Sequence, residues 1–357
     1  MQVRKEEKKE AVKMLPIEKS PVTGYSHQAF LFSILLPHPE TLPWLYSNYI
    51  QLFTLKDLYR HKERPGAGDF FFNYYGDWQF FELKCCPWLR YQSVPYKLIF
   101  SDRTIHQFIQ ESIDSDNYVK LPVEVAFIKA YGNLQIQGYH DLLIYGYDTG
   151  LNLYYAVDNF ADDRYQYANI SFEEMENASK GVIEYNLQEP CFRDNVTCIK
   201  FERCFNQNSD MISLNISKIA NDMKEFLLWK GYGESYKDMA GYSYGITYYD
   251  ELIKYCSMSG ELEEVIDVRC FATLRDHKNL MYQRTEYLIR KDILKEENLL
   301  EAAAGLKDQM DRIVYLLLIY NKTKQERRIR EMLTVLNNLK QQDTMFCENL
   351  IKYLTQT

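Results

Sequence analysis

YVKLPVEVAFI (residues 118–128), GYHDLLIYGYD (138–148) and LNLYYAVDNF (151–160) are the most regular stretches of the sequence, and they decide the fold. They are rich in β-branched and aromatic residues and bounded by turn residues, so we predict strands over 119–130, 139–147 and 153–157. The turn Asp148-Thr149-Gly150 joins the last two as a hairpin. Together they predict a mixed or antiparallel sheet.

Helix signals flank these strands. Ser171, followed three residues later by Glu174, forms a capping box that begins a helix. Asp102 is a cap residue for a helix that ends near residue 113, and the apolar stretches 28–36 and 42–53 predict two earlier helices. Two more strands are predicted at 70–81 and 88–100. This combination is typical of an α+β fold.

The pattern changes after residue 205. Strand signals nearly vanish and apolar residues recur at helical spacing, which predicts an antiparallel helical bundle. The predicted helices are 213–229, 248–257, 262–282, 293–304, 309–320, 324–339 and 344–354. The predicted organisation is a polar, disordered lead over 1–14, an α+β domain over 15–205 and a helical domain over 206–357.

Composition narrows the class of protein. A net charge of −8 argues against nucleic acid as a partner, because phosphate contacts need clustered Lys and Arg. The apolar runs are too short to span a bilayer, and residues 1–13 contain no apolar signal segment, so we expect no membrane association. The eight cysteines form no CxxC pair, which favours free thiols in the cytoplasm.

No metal site is predicted. Glu173, Glu174 and Glu176 form a carboxylate cluster, but they fall in the first turns of a predicted helix, where acidic residues favour the helix dipole. The sequence has no His, Asp and Glu spacing typical of metal ligands and no glycine-rich phosphate-binding motif.

His140 and Asp158 are the candidate catalytic residues. His140 opens the second regular strand and Asp158 ends the third. A carboxylate on a neighbouring strand can fix the tautomer of an imidazole that deprotonates a nucleophile. The alternatives are a half-buried strand histidine and a turn aspartate. If the two strands pair, both side chains should converge on one cleft.

The order of these elements resembles the N-terminal domain of the BtrH family of butirosin biosynthesis proteins, which are acyltransferases with a papain-like cysteine-peptidase fold. The matching features are the histidine strand that ends in Gly146-Tyr147-Asp148, the strand that ends in Asp158, and the capped helix that follows. The similarity covers about half of the chain.

This resemblance implies a papain-like sheet with flanking helices and a function in natural-product biosynthesis, of peptides or polyketides. The implied reaction is acyl or aminoacyl transfer from a carrier-protein thioester to an amine. The implied partners are an acyl or peptidyl carrier protein or an assembly-line enzyme, besides a small-molecule or peptide ligand. A phosphopantetheine-linked substrate fits the resemblance, and no other cofactor is expected.

The chain departs from the family at the nucleophile. The family places a cysteine at the start of the first helix, where unpaired N–H groups and an imidazolium lower the pKa of a thiol. This chain has Ser26 and His27 there, and its first cysteines are Cys85 and Cys86. Either the nucleophile is lost, or Ser26 replaces it, or one of these cysteines does so from another element. His27 is better explained as a helix-start residue than as a base.

Three functions therefore stay open. The first is an acyltransferase of natural-product biosynthesis with a Cys/Ser-His-Asp type of site. The second is a non-catalytic binding or scaffold module that has lost the nucleophilic cysteine. The third is a cysteine peptidase or amidase. We expect no cysteine sulfur close to His140. Ser26 or His27 should occupy the position of the family's nucleophilic cysteine, and the site should mainly bind a ligand, with weak catalysis at best.

Overall fold

The computed structural model describes residues 11–61, 68–70, 86–132, 138–161, 164–188, 195–203, 212–228 and 241–356. By the packing of its residues, the chain divides into two compact units. Unit 1 comprises Met1–Ser20, Ser26–Pro39 and Asp77–Gln207, and unit 2 comprises Pro21–Tyr25, Glu40–Gly76 and Asn208–Thr357. The predicted boundary near 205 lies close to the last of these limits. Two segments that the sequence places in the first domain, 21–25 and 40–76, belong instead to unit 2.

Strands and helices are mixed in the first part of the chain, and the later part is mainly helical. The described strands are β1 (Val12–Met14), β2 (Leu52–Leu55), β3 (Gly68–Phe70), β4 (Leu89–Pro95), β5 (Asn117–Glu124), β6 (Tyr139–Asp148), β7 (Leu153–Phe160), β8 (Arg164–Ser171), β9 (Asn195–Phe201) and β10 (Tyr242–Tyr244). The described helices are α1 (Ser26–Leu35), α2 (Leu42–Ser47), α3 (Tyr96–Asp102), α4 (Ile105–Asp114), α5 (Phe172–Gln188), α6 (Ile216–Leu228), α7 (Tyr248–Glu261), α8 (Arg269–Arg290), α9 (Glu297–Thr323) and α10 (Glu326–Leu354).

Unit 1 is built on a seven-stranded sheet in the order β4-β9-β5-β6-β7-β8, with β1 also paired to β6. Every one of these pairs is antiparallel. The strand β6 has three partners, because β7 covers one of its edges while β5 and β1 share the other. Its residues from Leu142 to Asp148 are all buried, which explains the nearly continuous apolar sequence of this strand.

Gly146 allows β1 to reach β6. A Cβ atom at this position would lie 2.6 Å from the carbonyl oxygen of Lys13, so only glycine fits. The register of β6 against β7 also shifts between Ile144 and Gly146, as at a β-bulge. The prediction of a disordered lead over residues 1–14 is therefore wrong for Val12–Met14, which pair with this strand.

The structure confirms the α+β class, and the three central strands predicted from the sequence correspond to β5, β6 and β7. The predicted strand over 119–130 is wrong beyond Glu124, where the 3₁₀ helices Val125–Phe127 and Lys129–Tyr131 follow. The predicted strand over 88–100 is wrong in its second half, because the strand ends at Pro95 and the chain continues as α3. The predicted helix over 42–53 stops at Ser47, and extended backbone at Asn48 leads towards β2. The predicted strand over 70–81 lies outside the described residues beyond Phe70.

Two strands of the sheet, β8 and β9, have no counterpart among the predicted elements. Their sequences, RYQYANIS and NVTCIKF, mix polar and apolar residues without a long β-forming run. Each is paired along its length with neighbouring strands, a tertiary contribution to strand formation that a single segment does not reveal.

Unit 2 is mainly helical and contains a small sheet in the order β10-β2-β3. The helices α8, α9 and α10 pack in succession and are joined by short connections, so that neighbours run antiparallel. The predicted helices 293–304 and 309–320 are one helix, α9, and 324–339 and 344–354 are likewise one helix, α10. The first of these helices continues through Gly305 without a break. Among the described residues, no helix combines the length and the apolar character needed to cross a membrane.

An ion pair lies inside the helical part of unit 2. Lys278 of α8 and Asp343 of α10 are both fully buried and in direct contact. The hydroxyl of Tyr249, on α7, donates to the same carboxylate at 3.0 Å. The ammonium of Lys278 also lies 5.2 Å from the centre of the Phe226 ring. The pair therefore connects three helices at a position where an unpaired charge would be very costly.

Replacement of Asp343 by alanine should expose the importance of this pair. Asp343→Ala leaves Lys278 as an uncompensated buried charge, so we expect unit 2 to lose about 3–5 kcal/mol of unfolding free energy. Urea unfolding followed by circular dichroism measures the change. Asp311→Ala is the matched control, since Asp311 is half-exposed in its pair with Lys307 and its loss should be nearly neutral. Equal effects of the two substitutions would contradict the assignment.

Candidate functional site

The register of β6 against β7 brings His140 and Asp158 to the same face of the sheet. Leu143 pairs with Val157 and Ile144 with Ala156, so the next position in the ladder sets Asp158 beside Leu142. Because side chains alternate along a strand, His140 lies on the same face as Leu142, diagonal to Asp158. The predicted convergence of the two side chains is confirmed by this geometry.

The imidazole of His140 is held by the carboxylate of Asp158. Nδ1 of His140 lies 2.5 Å from Oδ2 of Asp158 and 3.2 Å from the carbonyl oxygen of Asp141. Both contacts are to acceptors, so Nδ1 carries the proton and the lone pair of the neutral ring is on Nε2. Among the described residues, Nε2 has no hydrogen-bond partner. The histidine side chain is 40% exposed while that of Asp158 is fully buried.

Tyr131 completes the group and was not predicted from the sequence. Its hydroxyl donates a hydrogen bond to Oδ2 of Asp158, the same oxygen that His140 contacts. Its ring packs against Phe160, with centroids 5.0 Å apart, and edge-on to His140 at 6.1 Å. The chain has thirty tyrosines, and nothing in the local sequence distinguishes this one. We call the pair of His140 and Asp158, together with Tyr131 that binds the aspartate, the dyad site.

The position of Tyr131 depends on Glu174, a residue of the predicted capping box. It ends the short 3₁₀ helix Lys129–Tyr131, which Gly132 closes with a φ of +81°. The backbone N–H of Lys129 donates to one carboxylate oxygen of Glu174 at 3.0 Å. The other oxygen of Glu174 accepts from the backbone and hydroxyl of Ser171, which confirms the capping box. Glu174 thus fixes both the start of α5 and the segment that carries Tyr131.

Burial and charge set the protonation of the dyad site. Burial raises the pKa of Asp158, an effect partly offset by His140 and by the hydrogen bond from Tyr131. Burial alone would lower the pKa of His140, but the attraction of Asp158 and of Asp141 outweighs it, and the pKa is raised. Burial and the neighbouring carboxylate raise the pKa of Tyr131 well above its usual value, so its hydroxyl remains a donor. The arrangement is that of an oriented base whose second ring nitrogen meets no hydrogen-bond partner in the part of the chain that the structure describes.

The predicted replacement nucleophiles do not contact this base. Ser26 and His27 are the first two residues of α1, as predicted, but neither is among the hydrogen-bond partners of His140 in the described part of the chain. The middle of α1 contacts Tyr165, whose hydroxyl lies 3.0 Å from that of Ser33. Tyr165 pairs with Asn159, so by strand alternation it projects from the face opposite to Asp158.

Cys86 is remote from His140, which corrects its assignment as a replacement nucleophile. It is buried just before β4, and β4 is three strand positions from β6 in the sheet. The pairings align Arg90 with Lys200 and Asn117, at the opposite end of β5 from Val123, the partner of His140. Standard strand spacing puts this end about 14 Å across and roughly 20 Å along the sheet from His140. Cys85 lies outside the described residues.

A metal site is not evident in the described part of the chain, where no group of three or more His, Cys, Asp or Glu side chains is arranged to hold an ion. Of the predicted carboxylate cluster, Glu174 binds backbone and serine groups, while Glu176 pairs with Lys180 at 2.7 Å. These contacts give the acidic residues structural partners.

Comparison with known proteins adds no family assignment. No protein-family model matches the chain, and no curated protein matches its sequence significantly. The chemical interpretation therefore rests on the geometry of the dyad site.

The titration of His140 tests that geometry. We expect its pKa to exceed the ordinary value of about 6.5 and to fall in Asp158→Asn, because the attraction is lost while burial remains. With the folded-state pKa raised, the stabilisation from the pair is present below the unfolded pKa and is lost as pH rises through the folded pKa. Nuclear magnetic resonance of the histidine rings measures the change, with His140→Ala to identify the signal.

Asp141→Asn is the control for this titration. The Asp141 carboxylate is already paired with Lys120 at 2.9 Å, so its loss should lower the His140 pKa less than the loss of Asp158. An equal response to both substitutions would show that general negative charge, rather than the buried contact, controls the imidazole.

Proposed function

We propose that unit 1 is an acyl-transfer module in which His140 is the general base. The observation that supports this most strongly is the state of the imidazole: Nδ1 is bound to a fully buried carboxylate, whereas Nε2 has no hydrogen-bond partner among the described residues and the side chain is partly exposed. A base must be oriented by a second group and must still offer its lone pair to a substrate. The dyad site provides both conditions.

The proposed reaction is direct attack of an amine on a thioester. Nε2 of His140 accepts a proton from the neutral amine as its nitrogen forms a bond to the thioester carbonyl carbon. The tetrahedral intermediate then collapses, the C–S bond breaks, and the imidazolium returns the proton to the leaving thiolate. Asp158 stabilises the imidazolium between these steps. The reaction requires no nucleophile from the protein, which accommodates the absence of a cysteine from the first helix.

The substrate class follows from the resemblance to the BtrH family. That resemblance supports an acyl or aminoacyl thioester on a carrier protein as donor, carried by phosphopantetheine, within natural-product biosynthesis in the cytoplasm. The described cysteines Cys86, Cys198, Cys256, Cys270 and Cys347 are all free thiols, which agrees with a reducing compartment. A carrier protein or an assembly-line enzyme is the proposed partner.

A binding or scaffold module is the second candidate. It is favoured by one observation, the lack of any hydrogen bond between His140 and Ser26 in the described part of the chain. A serine nucleophile would need its hydroxyl within about 3 Å of Nε2. A cysteine peptidase or amidase is less well supported, because Cys86 lies at the far end of the sheet.

Substitutions separate these functions. With an aminoacyl N-acetylcysteamine thioester as donor and butylamine as acceptor, we expect His140→Ala to reduce amide formation about 10²- to 10⁴-fold, as loss of a general base does. Asp158→Asn should act in the same direction through the tautomer of His140. Ser26→Ala should leave the rate unchanged, and His61→Gln, at an exposed histidine of unit 2, is the control. Mass spectrometry of the amide measures the rate.

The other outcomes identify the alternatives. Loss of turnover in Ser26→Ala, with a trapped acyl-serine in the parent protein, would establish a serine nucleophile. Saturable binding of the thioester without turnover above background would favour the binding module. Rapid alkylation of one cysteine by iodoacetamide, with parallel loss of turnover, would restore the cysteine enzyme.

A further inference from the structure

Two hydrogen bonds converge on one oxygen of Asp158, and this convergence suggests a role for Tyr131. The hydroxyl of Tyr131 and Nδ1 of His140 both contact Oδ2. The carboxylate is completely buried, so water does not dilute the effect of either donor. Donors that share one oxygen compete for its electron density. A stronger bond from Tyr131 therefore weakens the attraction between the carboxylate and the imidazole proton.

We propose that Tyr131 is a positioning residue of the dyad site, which holds the carboxylate in the orientation that His140 requires and limits its attraction for the imidazole proton. The inference rests on the proposed function, in which His140 is the general base, but its main test is independent of turnover. Without Tyr131, Asp158 would have one donor fewer and would bind the imidazolium more tightly. His140 would then be protonated over a wider pH range and would offer a free lone pair only at higher pH.

The position of Tyr131 supports a dedicated role. Gly132 and the contact between Lys129 and Glu174 fix the 3₁₀ turn, and Phe160 fixes the ring. Among the described residues, the other ionisable groups that face His140 are Asp158 of β7 and Asp141 of β6, and Asp141 is paired with Lys120 of β5. Tyr131 thus contributes a neutral hydrogen-bond donor to Asp158, whereas the charged neighbours of His140 named above are both carboxylates.

Tyr131→Phe removes the hydroxyl and retains the ring. We expect the pKa of His140, measured by nuclear magnetic resonance on the full chain, to rise, and the acid limb of the rate profile to move to higher pH. Tyr154→Phe is the matched control: its buried hydroxyl lies 2.9 Å from Nδ1 of His106, so it should move the titration of His106 and leave His140 unchanged.

Two further measurements keep the proposal falsifiable if Tyr131→Phe folds poorly. Incorporation of 3-fluorotyrosine at position 131 makes the phenol a stronger donor, so it should lower the pKa of His140 without removing any group. In Asp158→Asn, where the His140 pKa is already lowered, the carboxylate is gone, so adding Tyr131→Phe should not raise that pKa. An unchanged His140 pKa in folded Tyr131→Phe, or the same rise in the Asp158→Asn background, would overturn the role of Tyr131. If the titrations respond as expected but the thioester is not turned over, the proposed function alone fails.

Discussion

The carboxylate of Asp158 imposes the main constraint on unit 1, because a charged group with no exposure to water must find its partners within the protein. Its two side-chain partners come from different elements. His140 belongs to the neighbouring strand, and Tyr131 belongs to a short turn between β5 and β6. The pairing of β6 with β7, the closure of the turn at Gly132 and the contact from Glu174 must all be correct for Oδ2 of the carboxylate to receive both of its side-chain donors. The function proposed for the imidazole depends on the same contacts that make this burial tolerable.

The two units satisfy buried charges in different ways. In unit 2, Lys278 and Asp343 are both inaccessible to water, and they link α8 to α10, with the hydroxyl of Tyr249 on α7 bound to the same carboxylate. In unit 1, only the aspartate is inaccessible, and its histidine partner extends to the surface. A pair that is open on one side can exchange a proton with a bound molecule, whereas a fully enclosed pair cannot do so without local opening. Because of this difference in exposure, the dyad site is the candidate catalytic site, whereas the fully buried pair of Lys278 and Asp343 is not.

The sequence predicted those features that depend on local pattern. The hairpin between β6 and β7 has a clear turn and apolar strands, so the convergence of His140 and Asp158 followed from their spacing. The capping box at Ser171 and Glu174 was equally local. Tyr131 was not predictable, because its role depends on a turn that folds over the end of a strand. Residues 40–76 were predicted in the first domain, but they belong to unit 2, for a similar reason. Their strand β2 pairs with Tyr242–Tyr244, and no local signal in β2 reveals a partner so distant in sequence.

The chain enters unit 2 three times, since residues 21–25 and 40–76 belong to the same compact unit as residues 208–357. Thr23 and Gly24 illustrate the connection, because their backbone N–H groups each donate to the carboxylate of Asp276 at 2.6 Å. During synthesis on the ribosome, these early segments emerge long before the helices that receive them. Neither unit can therefore be excised as a continuous piece, and completion of the helical unit must await the synthesis of residues 208–357. A cut near residue 205 would leave unit 1 nearly complete but attached to two segments of unit 2, and it would leave unit 2 without residues 21–25 and 40–76.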